Sequence, residues 1–96
     1  MPYISAEARD GIDNRHHAPD TAGELNYAIT DLIDAYLVDY GPTTSYAAIN
    51  EVIGVLECAK LELYRRIAAP FEDLAMIRNG DVYSRVPQTP PEQEGR

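Results

Sequence analysis

The residues best suited to chemistry gather around one lysine. Lys60 is the only lysine in the chain, and the stretch ECAKLELYRR at 57–66 places Glu57, Tyr64, Arg65 and Arg66 close to it. Tyr46 and Asn50 lie earlier on the same expected helix. An ammonium with guanidinium groups at its rim and tyrosine rings beside it is what a nucleotide-like anion requires. The cations would meet phosphate through charge-assisted hydrogen bonds and a ring would stack on a base. Two plainer readings stand beside that one. Lys60 can lay its stem on apolar surface and keep its head in water near Glu57. Alternatively, Lys60 and Glu57 form a buried pair that fixes helix register.

The other reactive types do not assemble into a site. His16 and His17 stand near Asp13 and Asp20, but adjacent loop histidines diverge, and a metal site usually needs three protein ligands in fixed geometry. The Glu-x-x-His pairs of di-iron bundles are missing. Glu51, Glu57 and Glu62 scatter around the helical wheel, unlike the paired acidic turns that hold magnesium. Cys58 has no histidine close by in sequence and reads as a small packing residue. Asn79-Gly80-Asp81 suits a helix C-cap better than a phosphate loop. The expectation is a non-enzymatic protein with no catalytic residue, metal or cofactor.

The elements that must position Lys60 are helical. Ser5 opens a short, weak helix within 4–17, which Gly11 weakens further. HAPDTAG breaks the chain, and Thr21 with Glu24 forms a T-x-x-E helix start. Leu25, Ala28, Ile29, Leu32, Ile33, Tyr36, Leu37 and Tyr40 then recur at helical spacing until Gly41-Pro42. Thr43, Thr44 or Ser45 caps the next helix, which runs towards Pro70. That proline either kinks the helix or opens a short fourth one ending at Asn79-Gly80. Residues 81–86, DVYSRV, read as an extended arm or an edge strand. The fold class is all-α: a small bundle built on an αα-hairpin, with a short C-terminal helix and an arm. Residues 1–86 form one domain, and 87–96 are a proline-rich tail too polar to pack.

Helical phasing explains why Lys60 attracts notice. Advancing about 100° per residue from Ile49, residues Ile53, Leu56, Leu63 and Ile67 fall within about 40° of the starting direction. Lys60 falls about 20° from it, inside the apolar stripe. Ala47, Gly54 and Cys58 make a small-residue face on the other side, so the helix can pack on both.

Composition narrows the partners. Sixteen acidic residues against eight basic ones give a net charge of −8, which disfavours nucleic acid and anionic membrane surfaces. No apolar run approaches the roughly 20 residues that span a bilayer. One cysteine excludes an internal disulfide and suits a reducing cytoplasm, and no signal peptide is evident. A chain of 96 residues buries only roughly 60–65% of its unfolded surface, so the core needs help from a further subunit.

The strings MPYIS, GELNYAIT and YAAINEVIGVLECAKLELYRRIAAPFEDLAMIRNGDVY resemble an uncharacterised family of small proteins of tailed phages and prophages. The resemblance covers about residues 1–5 and 23–83 and is weakest over 6–22. It implies an accessory protein acting in host cytoplasm and supplies no catalytic residue. The leading expectation is a homo-oligomer that binds a small anionic, nucleotide-like ligand, such as a host defence signal. The alternative is a structural or protein-interaction module without a ligand. A metal-dependent nucleotide hydrolase ranks last.

Overall fold

A computed structural model describes residues 1–43, 45–85 and 87. Over these residues the fold is all-α, with no strand. The helices are α1 (Ala6–Asp13), α2 (Ala22–Val38), α3 (Tyr46–Leu63) and α4 (Ala69–Asn79), with a π-helical segment, Tyr64–Ala68, between the last two. Residues 81–85 leave α4 as a non-helical arm, begun by the Asp81 carboxylate accepting the Tyr83 N–H at 3.0 Å. Val86 and, apart from Pro87, the expected tail lie outside the described residues.

Three helices start where a hydroxyl takes over an orphan N–H. Ser5 Oγ accepts from the Ala8 N–H at 3.1 Å, Thr21 Oγ1 from Glu24 at 3.1 Å, and Ser45 Oγ from Ala48 at 3.0 Å. The return half of the Thr21–Glu24 box is displaced by one residue. Glu24 Oε1 accepts from the Asp20 N–H at 2.9 Å rather than from Thr21 itself.

The first helix is shorter than its sequence suggests, because the chain reverses at Arg15. The His16 N–H bonds Gly11 O at 2.9 Å and the Arg15 N–H bonds Ile12 O at 3.0 Å. These are the two bonds of a Schellman closure, which places Arg15 at the left-handed position, φ 58°. Glycine is the usual occupant there. At the end of α4 that expectation holds: Gly80 has φ 93° and its N–H reaches Met76 O at 2.8 Å.

Pro70 neither breaks the helix with a loop nor leaves it purely α. Its ring would strike the carbonyl four residues back, that of Arg66, and it has no N–H to give. The backbone responds by widening, and the Ala69 N–H bonds Tyr64 O five residues behind it. The π segment therefore changes the angular advance per residue from Tyr64 onward. Tyr64 and Ile67 cannot be phased with Ile49 by one constant α-helical step.

The chain divides into two compact units, Met1–Glu57 and the part from Cys58 onward, and the division falls inside α3. In the first unit α1 is fixed to α2 through Tyr27, whose hydroxyl donates to both Asp13 carboxylate oxygens at 2.8 and 2.9 Å. Arg9 lies over the Tyr27 ring, 5.4 Å from its centroid. Its Nε donates to Ile4 O at 3.2 Å, which binds the N-terminal segment to α1. Between α2 and the α3 residues of this unit lies an apolar hollow of about 250 Å³. In the second unit the π segment and α4 are joined by Tyr64 Oη donating to Glu72 Oε1 at 3.1 Å.

Burial is sparse throughout. Ala48 is the one buried apolar side chain among the described residues, and no large side chain is fully enclosed. Gly11 is also buried, under the His17 ring; a Cβ there would stand 2.8 Å from His17 Nε2.

Arg15→Gly removes a left-handed strain that costs an L-residue about 1–2 kcal/mol and returns part of it as unfolded-state entropy. The expected outcome is a gain of up to about 1 kcal/mol in urea unfolding. A loss would show that the Arg15 side chain contributes more than its backbone costs.

Candidate functional site

The seven residues of the candidate anion site share one stretch of helical chain but fall in different units. Tyr46, Asn50 and Glu57 belong to the first, and Lys60, Tyr64, Arg65 and Arg66 to the second. All seven are exposed. Neither Glu57 nor Lys60 is a free charge, since each has an interaction of its own.

The arginines are already engaged. Arg65 Nη2 donates to both Glu62 carboxylate oxygens at 3.1 Å, and Arg66 Nη1 stands 3.9 Å from Glu62 Oε2. An incoming phosphate would have to compete with Glu62 for both cations. Tyr64 is likewise committed, and its hydrogen bond to Glu72 raises its pKa. Its ring lines a shallow hollow of about 490 Å³ with Met76, Val82 and Tyr83, where Glu72, Asp73 and Asp81 supply negative charge. Phosphate is poorly matched to those carboxylates.

A different constellation is the best-formed polar cluster of the first unit. Tyr36 Oη and Tyr40 Oη both donate to Glu51 Oε1, at 2.6 and 2.8 Å. The two hydroxyl oxygens are 3.1 Å apart, and the rings are tilted by 57° with centroids 5.4 Å apart. One carboxylate oxygen thus gathers two phenols, one from α2 and one from just beyond its end, and holds them to α3. The hydrogen bonds from Tyr36 and then Tyr40 lower the Glu51 pKa, against a smaller opposing effect of desolvation. The same bond to Glu51, followed by that with Tyr40, lifts the Tyr36 phenol well above its usual value.

Beside this clamp the hairpin encloses an apolar hollow of about 250 Å³. Leu32, Ile33 and Tyr36 line it from α2, and Val52, Val55 and Leu56 from α3. Helical periodicity assigns Tyr36 and Tyr40 to the apolar stripe, and Glu51 looks like one of three scattered acids. The available signal was positional. A tyrosine pair four apart before a turn faces a glutamate at matching distance after it.

The histidines play a local part. His17 covers Gly11, its Nδ1 lies 2.8 Å from Ala18 O, and Glu24 Oε1 is 3.9 Å away. Among the described residues no three His, Cys, Asp or Glu side chains converge as a metal site would require. Cys58 is free and exposed, so it is not the enclosed packing residue its small neighbours suggest. None of the helices searched is long and apolar enough to cross a membrane.

The model of the family described as Domain of unknown function (DUF6899) matches residues 1–82, and the chain belongs to that family. The match takes in residues 6–22, where the resemblance read from the sequence was weakest, all of the first compact unit and the second as far as residue 82. Comparison with the curated proteins and with the solved structures returned no match.

The clamp sets two pH limits on the hairpin. Glu51, with its pKa lowered by folding, stabilises the fold above the ordinary carboxylate range and loses that contribution as pH falls through its lowered value. Tyr36, with its pKa raised, stabilises below the ordinary phenol range and loses its contribution as pH rises through the raised value. In urea melts across pH, Glu51→Gln should remove the acid-side loss relative to wild type. Superimposable acid profiles would show that the clamp is energetically idle.

Proposed function

We propose that this member of the family is a self-assembling helical module whose copies complete one another's core. One observation carries the reading. Among the described residues no large side chain is fully buried, while large apolar residues such as Leu25 and Leu32 on α2 and Ile53 and Val55 on α3 stay exposed. Ordering a residue costs about 1–2 kcal/mol of backbone entropy, and a buried Leu, Ile or Phe returns about 1.5–3 kcal/mol. With almost nothing of that kind enclosed, an isolated copy lacks the main favourable contribution to folding. Association of copies supplies it with no new sequence and no cofactor.

The setting we propose is the one the resemblance implies: an accessory protein of a tailed phage or prophage, working in the host cytoplasm. A ligand site at Lys60 has less support, because Arg65 and Arg66 are paired with Glu62 and Tyr64 with Glu72.

Sedimentation equilibrium is the direct test. The expected outcome is an oligomer at low micromolar concentration whose helicity falls together with association on dilution. A stable, fully helical monomer would overturn the reading. Lys60→Met separates it from the ligand alternative. Self-assembly predicts an oligomer of equal or greater stability, and no melting-temperature shift with cyclic di- or trinucleotides in wild type or variant. A nucleotide-induced shift that Lys60→Met abolishes would favour the ligand site.

A further inference from the structure

Resting on the self-assembly reading, we infer which surface joins the copies. The apolar hollow of the α2–α3 hairpin receives the same hairpin of a second copy, making a two-fold dimer with a four-helix core.

Between α2 and α3 in this unit lies a hollow of about 250 Å³. The six residues lining it are Leu32, Ile33, Tyr36, Val52, Val55 and Leu56, none of them charged. Water in such a space finds few polar partners, so apolar side chains displace it favourably. Four of the six stay substantially exposed: Leu32 at 73%, Val55 at 67%, Tyr36 at 44% and Leu56 at 41%.

Three features favour a second copy over an unrelated partner. The first is charge. At a net −8 the chain repels itself except through an uncharged face. The acids of mid-α2, Asp31 and Asp34, line a separate hollow with Tyr3, Arg9 and Tyr27. Two hairpins can therefore meet through their hollows without opposing those carboxylates.

The second is self-complementarity. Leu25, Ile29, Leu32 and Tyr36 on α2, and Ile49, Ile53 and Leu56 on α3, are exposed at three- and four-residue spacing. A ridge of that spacing fits the groove beside an identical ridge, which is what a two-fold contact demands.

The third is extent. A stable interface takes roughly 20–30 residues a side, and the exposed apolar residues of α2 and α3 form the centre of one. The Glu51 clamp ties α2 to α3 beside the hollow.

The test uses the full chain in sedimentation equilibrium with Val55→Asp, Leu32→Asp and, as a control outside the hairpin, Ile77→Asp. Wild type should be a dimer. Val55→Asp and Leu32→Asp should each raise the dimer dissociation constant by on the order of a hundredfold, as an unpaired buried charge does. Ile77→Asp should leave it unchanged. If wild type is oligomeric but the hollow variants associate equally well, the assigned surface is wrong and self-assembly stands. If wild type is monomeric, both fail. Should the aspartate variants not fold, wild-type hydrogen exchange decides. Protection around 32–36 and 52–56 should rise with protein concentration, and a rise confined to α4 would overturn the assignment.

Discussion

The structure depends on a shortage of enclosed apolar surface. Hydrophobic burial is the main favourable contribution to folding, and it scales with area removed from water. This chain has ample apolar material, spread along α2, α3 and α4, yet among the described residues only Ala48 of the apolar side chains is buried. Marginal domains of this length often use disulfides or metals, or associate. With a single cysteine, an internal disulfide is excluded by composition. The self-association proposed above would cover the exposed stripes.

Where apolar packing is thin, polar contacts set the geometry. The Glu51 carboxylate collects Tyr36 and Tyr40, and the Asp13 carboxylate collects Tyr27, with Arg9 over its ring. These are charge-assisted hydrogen bonds, shorter and more directional than neutral ones. Being exposed, they add little stability. They do specify how far apart neighbouring helices stand. Beside the Glu51 clamp the α2–α3 hairpin keeps an apolar hollow.

The region around Lys60 changes character at Pro70. A proline ten residues downstream converts Tyr64–Ala68 to π-helix. The π segment changes the angular advance per residue after Leu63. Arg65 and Arg66 close on Glu62, and Tyr64 turns to Glu72 within the second unit. The cationic neighbours expected of the lysine have other partners.

Much of the fold was legible in local chemistry. Ser5, Thr21 and Ser45 announce helix starts, Gly41 and Gly80 announce ends, and the spacing from Leu25 to Tyr40 announces α2, because capping and periodicity act within a few residues. Arg15 hid the end of α1, since the closure there uses a residue type that gives no such signal. The π segment was hidden too, because Pro70 forbids one hydrogen bond without saying how the backbone will replace it. The candidate site was least legible. Whether Tyr36 is a stripe residue or a clamp depends on a glutamate fifteen positions away. Sequence by itself determined the helices, their charge and their apolar faces, all properties of neighbours along the chain. Only the tertiary structure decided that Glu51 gathers two tyrosines and that an apolar hollow lies beside them, because contacts between helices are encoded by no local pattern.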